Sequence, residues 1–471
     1  MRLTVQLYRT VVSGATPEQA HRLYDLLSVR HPAPERIEAF VLGQWDGYAH
    51  HYSAKTQSFP SGLLFKVLAF LVAQGIPHEV DDQRVCPLSK PPEVPDAFPL
   101  LDRMLGEIVL RPYQVGSIRA CLEKGRGLLE LGTNAGKTEC LSGLFKALAL
   151  PSLYIVSGKT LAHQARERIA MRLGTSVGFV GDGYWQPNLR GVTVAVVNTL
   201  HTRKATKEGK AFLQAMHVLA VDEAHNAPVD SYRDVLLACP AYYRFGVTGT
   251  LPDQPYFRYR LMAHFGGVIY QIGNASLIAQ GVSEKPTIEV VRVENPQNRR
   301  TYQEALDKDI AKGRELRAAL LSRVKEAREK GQTILILTLR QRHCDEIAET
   351  LRERGYDAES IHGEDDSFRR EDVIGRLKSG DLPIVASTVI LRTGVDIPAI
   401  NVLIYLIGGK DSKGVRQAIG RVLRKKHDGG EAIFVDMVPV GNWHFAKHLK
   451  ARLEVYRREG FNVVIRSMVC R

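Results

Sequence analysis

The sequence predicts an α/β protein, with two tandem parallel-sheet lobes preceded by a small α+β N-terminal domain. Three observations carry that reading. From about residue 105, short β-rich runs alternate with helical patterns, the rhythm of parallel strands joined by helices. A second series of the same kind begins after a charged helical stretch, Tyr302 to Lys330. Ahead of both, a differently patterned segment ends in a run holding Pro87, Pro91, Pro92, Pro95 and Pro99, which forbids regular helix and favours extended linker. The expected boundaries are 1–86 for the small domain, 87–104 for the linker, 105–285 for the first lobe and 286–471 for the second.

In chain order, Leu3, Val5 and Leu7 alternate with Thr4, Gln6 and Tyr8 over residues 2–8, the period of a strand with one buried face. Thr16-Pro17-Glu18-Gln19 then supplies an N-cap, a first-turn proline and a capping-box glutamine, so a helix follows. An apolar helix is expected over Leu63 to Gln74 and an edge strand around Glu79 to Val85. The first lobe's strands are read at Gly127–Leu131, Leu153–Val156, Val192–Val197, Val218–Val221 and Phe245–Val247. Those of the second lie at Thr333–Leu337, Ala358–Ile361, Ile384–Ala386, Val402–Leu406 and Ala432–Val435.

Of the 471 residues, 44% are hydrophobic and 24% charged, the balance of a soluble globular chain. Lys and Arg number 64 against 51 Asp and Glu, and the resulting +13 favours a polyanionic partner through counterion release. The cysteines are scattered, with neither a CxxC pair nor zinc-ligand spacing, which points to a reducing compartment and no structural metal. No apolar leader opens the chain, and the longest apolar run, near Leu63 to Ala73, is too short to span a bilayer. A cytoplasmic protein with no membrane partner is expected.

Gly132-Thr133-Asn134-Ala135-Gly136-Lys137-Thr138 follows an apolar strand and precedes a helix, where backbone N–H groups can cradle phosphates. Lys137 would hold the β- and γ-phosphates of ATP, and the Thr138 hydroxyl would ligate Mg²⁺. Leu131 stands where the strict phosphate-loop pattern has glycine, so a Gly-rich turn with an exposed lysine is the alternative. Val218 to Val221 then delivers Asp222 and Glu223 at a strand's C-terminal end, where open α/β sheets bind ligands. Asp222 can hold Mg²⁺, and Glu223 can orient and deprotonate the attacking water. An ordinary solvated turn is the alternative for the acidic pair.

Asp222-Glu223-Ala224-His225 and the later Arg244-Phe245-Gly246-Val247-Thr248-Gly249-Thr250 resemble motifs II and III of the superfamily-two helicases. The resemblance implies two RecA-like lobes and an ATP-dependent helicase or translocase, with Thr248 and Thr250 coupling hydrolysis to nucleic-acid grip. Ser157-Gly158-Lys159 is similar to motif Ia, and Asn198-Thr199 lies in a segment similar to motif Ib; both imply contacts to the phosphate backbone. Arg111 and Gln114 match the segment that contacts adenine, with plain surface capping as the alternative.

In the second lobe, Gly394 and Asp396 lie in a segment resembling motif V, and Gln417 to Arg424 resembles motif VI. Positions 417, 420/421 and 424 share one face of a helix. The resemblance makes Arg421 and Arg424 charge-neutralising fingers and lets Gln417 place the water; hydrolysis would then require the lobes to close around ATP. His362, Gly363 and Thr388 are similar to family positions that touch the strand, although His362 can equally be a turn histidine.

Within the superfamily the chain looks most like the UvsW-like recombination helicases of T-even phages and, more distantly, the XPB group. Membership implies remodelling of forks, Holliday junctions and displacement loops, with single-stranded and branched duplex DNA as partner. RNA remodelling, or the motor part of a restriction or defence complex, are the other readings. No nuclease signature is present, and Lys137, Glu223 and Arg421 together argue against a non-enzymatic binding module. In the small domain, Trp45, Tyr48, His50, His51, Tyr52 and Lys55 mix aromatic and basic groups suited to stacking on bases, with packing in that domain's own core as the alternative.

Overall fold

The computed structural model describes residues 1–227, 230–294, 299–388, 400–409, 412–422 and 432–468, except for the side chains of 367, 412, 413, 417, 421 and 422. Two compact units result, Met1–Ile272 and Gly273–Arg471. The first contains both the small N-terminal sheet and the first large one.

At the N-terminus, Arg2–Val5 is antiparallel to Arg9–Ser13 and parallel to Glu79–Asp82, and Ser58–Pro60 completes a four-stranded sheet. The predicted strand stops at Val5, because Gln6 N donates to Arg9 O (3.0 Å) and turns the chain into a hairpin. Helix Pro17–Leu26 begins with the expected capping box between Thr16 and Gln19, and the apolar helix runs over Leu64–Ala73.

An eight-stranded sheet follows, in the order Tyr184–Gln186, Gly178–Gly181, Val192–Val196, Ser152–Val156, Val218–Val221, Tyr243–Thr248, Arg126–Leu131, Val268–Ile272. All neighbours are parallel except the outermost pair, Tyr184–Gln186 against Gly178–Gly181. The second unit has a seven-stranded, wholly parallel sheet, ordered Ala358–Ile361, Ile384–Thr388, Ile334–Thr338, Val402–Tyr405, Ile433–Val440, Thr287–Glu294, Asn462–Met468. Long apolar runs make strands buried on both faces, as parallel sheets under helices require.

Three features differ from the sequence expectation. The proline segment is packed rather than free: Val94, Phe98 and Leu100 are buried, Arg119 donates through Nε and Nη2 to Val94 O (3.1 and 2.6 Å), and Pro99–Asp102 pairs with Gly106–Val109. The small domain does not stand beside the first lobe with a core of its own. Phe59, Leu63 and Val67 share one buried cluster with Leu261, Met262 and Phe265. At Gly62 an added Cβ would lie 2.2 Å from Met262 O, so two backbones meet with no room for a side chain. Finally, the charged helix is broken. A π turn over Leu306–Ala311 precedes Arg314–Glu329, with Gly313 at the junction, where a Cβ would meet Asp309 O at 2.2 Å.

Candidate nucleotide site and strand-facing surface

The strand Arg126–Leu131 enters a turn in which Asn134 (φ +67°) and Gly136 (φ +76°) take left-handed backbone, and helix Lys137–Leu148 starts at once. These reversals let successive N–H groups face one concavity at a helix N-terminus, the requirement of an anion cradle. The Asn134 side-chain nitrogen is buried there without a protein partner. Such an orphan donor is costly unless a ligand acceptor meets it, so the loop fits a phosphate.

Gln114 sits beneath the loop, with both ends of its amide engaged inside the protein. It is buried, its Nε2 donates to Ala135 O (3.0 Å), and its Oε1 accepts from Arg111 N (2.9 Å). Tyr113 OH donates to the same Ala135 oxygen (3.0 Å), while Arg111 is exposed, with Nη1 3.3 Å from Tyr113 OH. Gln114 and Tyr113 therefore brace the phosphate loop from behind. Tyr113, an aromatic inside the quoted Arg111–Gln114 segment, was missed in the sequence because its pattern names only its neighbours.

Opposite the loop, Lys137 Nζ lies 3.6 Å from Glu223 Oε1. Glu223 takes left-handed backbone (φ +46°), and its N–H donates to Asp222 Oδ1 (2.9 Å). Burial, then the Glu223 charge, push the Asp222 carboxyl above its ordinary range, with Lys137 opposing. Tyr154, buried on the neighbouring strand, hydrogen-bonds to it. A buried acid destabilised as an anion is suited to meeting a cation. Thr138, in the first turn of the loop helix, and Asp222 could hold Mg²⁺. Among the described residues there is no group of three or more His, Cys, Asp or Glu that could hold a metal ion.

His225 links the acids to the next strand. Its Nδ1 is 3.2 Å from Glu223 Oε2 and 2.8 Å from Thr248 Oγ1. Thr248 donates its hydroxyl proton to Thr250 O (3.0 Å), so its oxygen accepts from His225 Nδ1–H. Thr248 and Thr250 are both buried. The single Nδ1–H goes to Thr248, and the Glu223 carboxylate lies beside the same nitrogen as an electrostatic neighbour. At Gly249 an added Cβ would stand 3.0 Å from Lys137 Nζ, so glycine keeps the lysine's path clear.

Of the expected strand contacts in the first unit, Ser157, Lys159 and Asn198 are exposed, Gly158 caps helix Lys159–Leu173, and Thr199 is half-buried in helix Val197–Arg203. Trp45 is occupied locally: its indole N–H donates to Tyr48 O (2.7 Å), and its ring packs edge-on against His31 and Phe40. Tyr52 is buried, and burial pulls the His51 imidazole down to about 4. Tyr48 and His50, both exposed, stack on each other with 5.9 Å between centroids, so part of the segment packs the domain and part stays at its surface.

In the second unit, His362 lies between Asp345 and Asp365 (3.5 Å each), Gly363 is exposed beside it, and Thr388 is buried at the end of its strand. Gln417 and Arg421 fall on helix Ser412–Val422. Their side chains, and all of Gly394, Asp396 and Arg424, lie outside the described residues.

A phosphate loop facing two acids at the end of a strand two places away in the sheet, in the first of two RecA-like domains, defines a nucleotide-hydrolysing motor of the helicase type. Two family profiles match the chain: "Type III restriction enzyme, res subunit" over residues 107–253 and "Helicase conserved C-terminal domain" over 312–426. The chain belongs to the superfamily-two helicases, which hydrolyse ATP to act on nucleic acid. The "DNA 3'-5' translocase XPB2" of Sulfurisphaera tokodaii is 25% identical over 404 residues, 77% of this chain and 87% of that one. A fragment structure of a putative HsdR subunit of a type I restriction enzyme from Vibrio vulnificus aligns at 17% identity over 76% of this chain and 68% of that one, with a TM-score of 0.58. The T4 UvsW structure aligns over 100% of both chains at 19% identity, with a TM-score of 0.47.

Proposed function

We propose that this protein couples ATP hydrolysis to movement on DNA and remodels branched substrates such as forks, Holliday junctions and displacement loops. The observation behind the proposal is the alignment of Lys137 with Glu223 at 3.6 Å, beside a buried Asp222 and joined through His225 to Thr248. Lys137 and the loop N–H groups bind the phosphates; Thr138 and Asp222 hold Mg²⁺, which when bound neutralises phosphate charge. Glu223 takes the proton of the attacking water. As its carboxylate protonates, its pull on His225 weakens, and the Thr248–Thr250 segment receives the change. Arg421 and Arg424 neutralise charge developing on the transferred group. Lys159, Asn198 and Thr199 grip the strand's phosphates in the first unit, and His362 and Gly363 in the second.

DNA is favoured over RNA by the translocase relative, and the basic charge suits either polyanion. The restriction-type profile over 107–253 and the HsdR likeness favour a second reading, the motor of a restriction complex. The test is ATPase and strand displacement across single-stranded, forked and four-way DNA beside RNA equivalents. Displacement confined to branched DNA supports the first reading; DNA-stimulated ATPase without displacement of any junction supports the second. ATPase indifferent to every nucleic acid would remove both.

A further inference from the structure

Between the two elements expected to grip the strand in the first unit lies a small hairpin that neither motif includes. Gly178–Gly181 and Tyr184–Gln186 pair antiparallel with Gly181 opposite Tyr184, leaving only Asp182-Gly183 as the loop. Both loop residues have positive φ (+49° and +84°), the conformation of a type I′ turn, whose twist matches that of the strands it joins. The tip is therefore rigid.

Its two faces are tied to different elements. Asp182 reaches helix Lys159–Leu173, with Lys159 Nζ at 2.7 Å and His163 Nε2 at 3.3 Å. On that side the rings form a row: His163 to Phe179 at 4.4 Å between centroids, and Phe179 to Tyr184 at 6.1 Å. On the other side Trp185 packs edge-on against Phe212, and the Arg203 guanidinium, at the end of helix Val197–Arg203, lies 5.1 Å from the Trp185 ring. Phe179 is buried, yet Tyr184 at the end of the row is 52% exposed. With only Gly181 across from it, no cross-strand side chain covers it. Lys159 beside the tip and Asn198 at the start of the second helix are exposed as well, so cationic and amide donors flank an open ring.

We propose that Tyr184 is a stacking platform for an unpaired base of the strand whose phosphates pass over Lys159 and Asn198. The proposal rests on the nucleic-acid-motor reading and deepens it by adding a base contact to a set of phosphate contacts. An aromatic ring beside a cationic track recognises single strands without regard to sequence, because every base presents a π face. The hairpin joins both gripping helices, so it keeps the ring in register with them.

Three proteins test this: wild type, Tyr184→Ala and Tyr184→Phe, each checked for an unchanged melting temperature. Binding is measured by anisotropy on an oligothymidine strand, an equally long strand of abasic units, and an oligouridine strand. On oligothymidine, Tyr184→Ala should weaken binding by about five- to a hundredfold, the range for loss of one stacked base, while Tyr184→Phe binds as wild type. On the abasic strand all three should bind alike. The uridine arm tells whether RNA shares the platform. Equal affinity of Tyr184→Ala and wild type on both base-bearing strands would overturn the proposal, as would the same fold loss on the abasic strand. Wild type that binds none of the three would overturn the motor reading itself.

Discussion

Each unit contains strand-to-helix turns, and one taken from each shows two ways of building them. In the first, Arg126–Leu131 leads into residues 132–136, with left-handed backbone at Asn134 and Gly136, before helix Lys137–Leu148. In the second, Ile334–Thr338 passes through Leu339 and an N-capping Arg340 into helix Gln341–Arg352, with no positive φ in the turn. The short turn brings its helix in directly and leaves no concavity lined by N–H groups. A strand-to-helix turn in a parallel sheet is thus not a nucleotide site in itself; two backbone reversals, with a buried acid two strands away, make one.

If the second unit contributes charge alone, Arg421→Ala should lower kcat by about 10³–10⁵ with little change in the KM for ATP. An unchanged kcat with a raised KM, in steady-state ATPase assays, would make the arginine a binding group and blur the contrast. Next, Glu223→Gln should reduce kcat by about 10²–10⁴ yet retain nucleotide in equilibrium binding, whereas Lys137→Ala should lose both. Wild-type turnover in Glu223→Gln would place the base elsewhere.

Smaller effects sharpen the first unit's side. Gln114→Ala removes two hydrogen bonds behind the phosphate loop and should raise the KM for ATP about tenfold, since an unsatisfied buried group costs about 1–3 kcal/mol. Comparing ATP with GTP separates bracing from base recognition: equal losses for both nucleotides mean bracing. The smallest effect is on stability. Because the Asp222 carboxyl is raised, its charged form is disfavoured by folding; the stability it contributes is present at acid pH and lost as pH rises through its folded-state value. Asp222→Asn should therefore raise the melting temperature at neutral pH without nucleotide, the gain shrinking on acidification. A lower melting temperature at neutral pH would mean the acid already has adequate partners.

What could be read in the sequence followed the strength of local signals. The strand Val218–Val221 falls where its apolar run placed it, because a wholly buried strand declares itself without its partners. Thr287–Glu294 was missed although it pairs with two strands, since Glu289 and Arg292 interrupt its pattern. Glu289 is tolerated there because Arg323 Nε, on a helix, donates to it at 2.9 Å, a partnership no local window contains. In the site, the gathering of Lys137, Asp222 and Glu223 was legible because each stands just beyond the end of a strand in the sequence. The bracing by Gln114 and Tyr113 was not, because it depends on a carbonyl 21 and 22 residues away.

The contact of Gly62 with the carbonyls of Met262 and Ala263 bears on how the chain is made. During synthesis the helix Leu64–Ala73 leaves the ribosome about 200 residues before the helix Pro255–Phe265 that completes its cluster. At about 5–20 residues per second, that interval lasts roughly 10–40 s. Throughout it, Leu63, Val67 and Leu71 have only part of their final surroundings, and closing so long a loop slows folding. The nascent chain is thus exposed to chaperone capture or misassociation over that window, which closes when the backbone at Gly62 meets that of Met262 and Ala263.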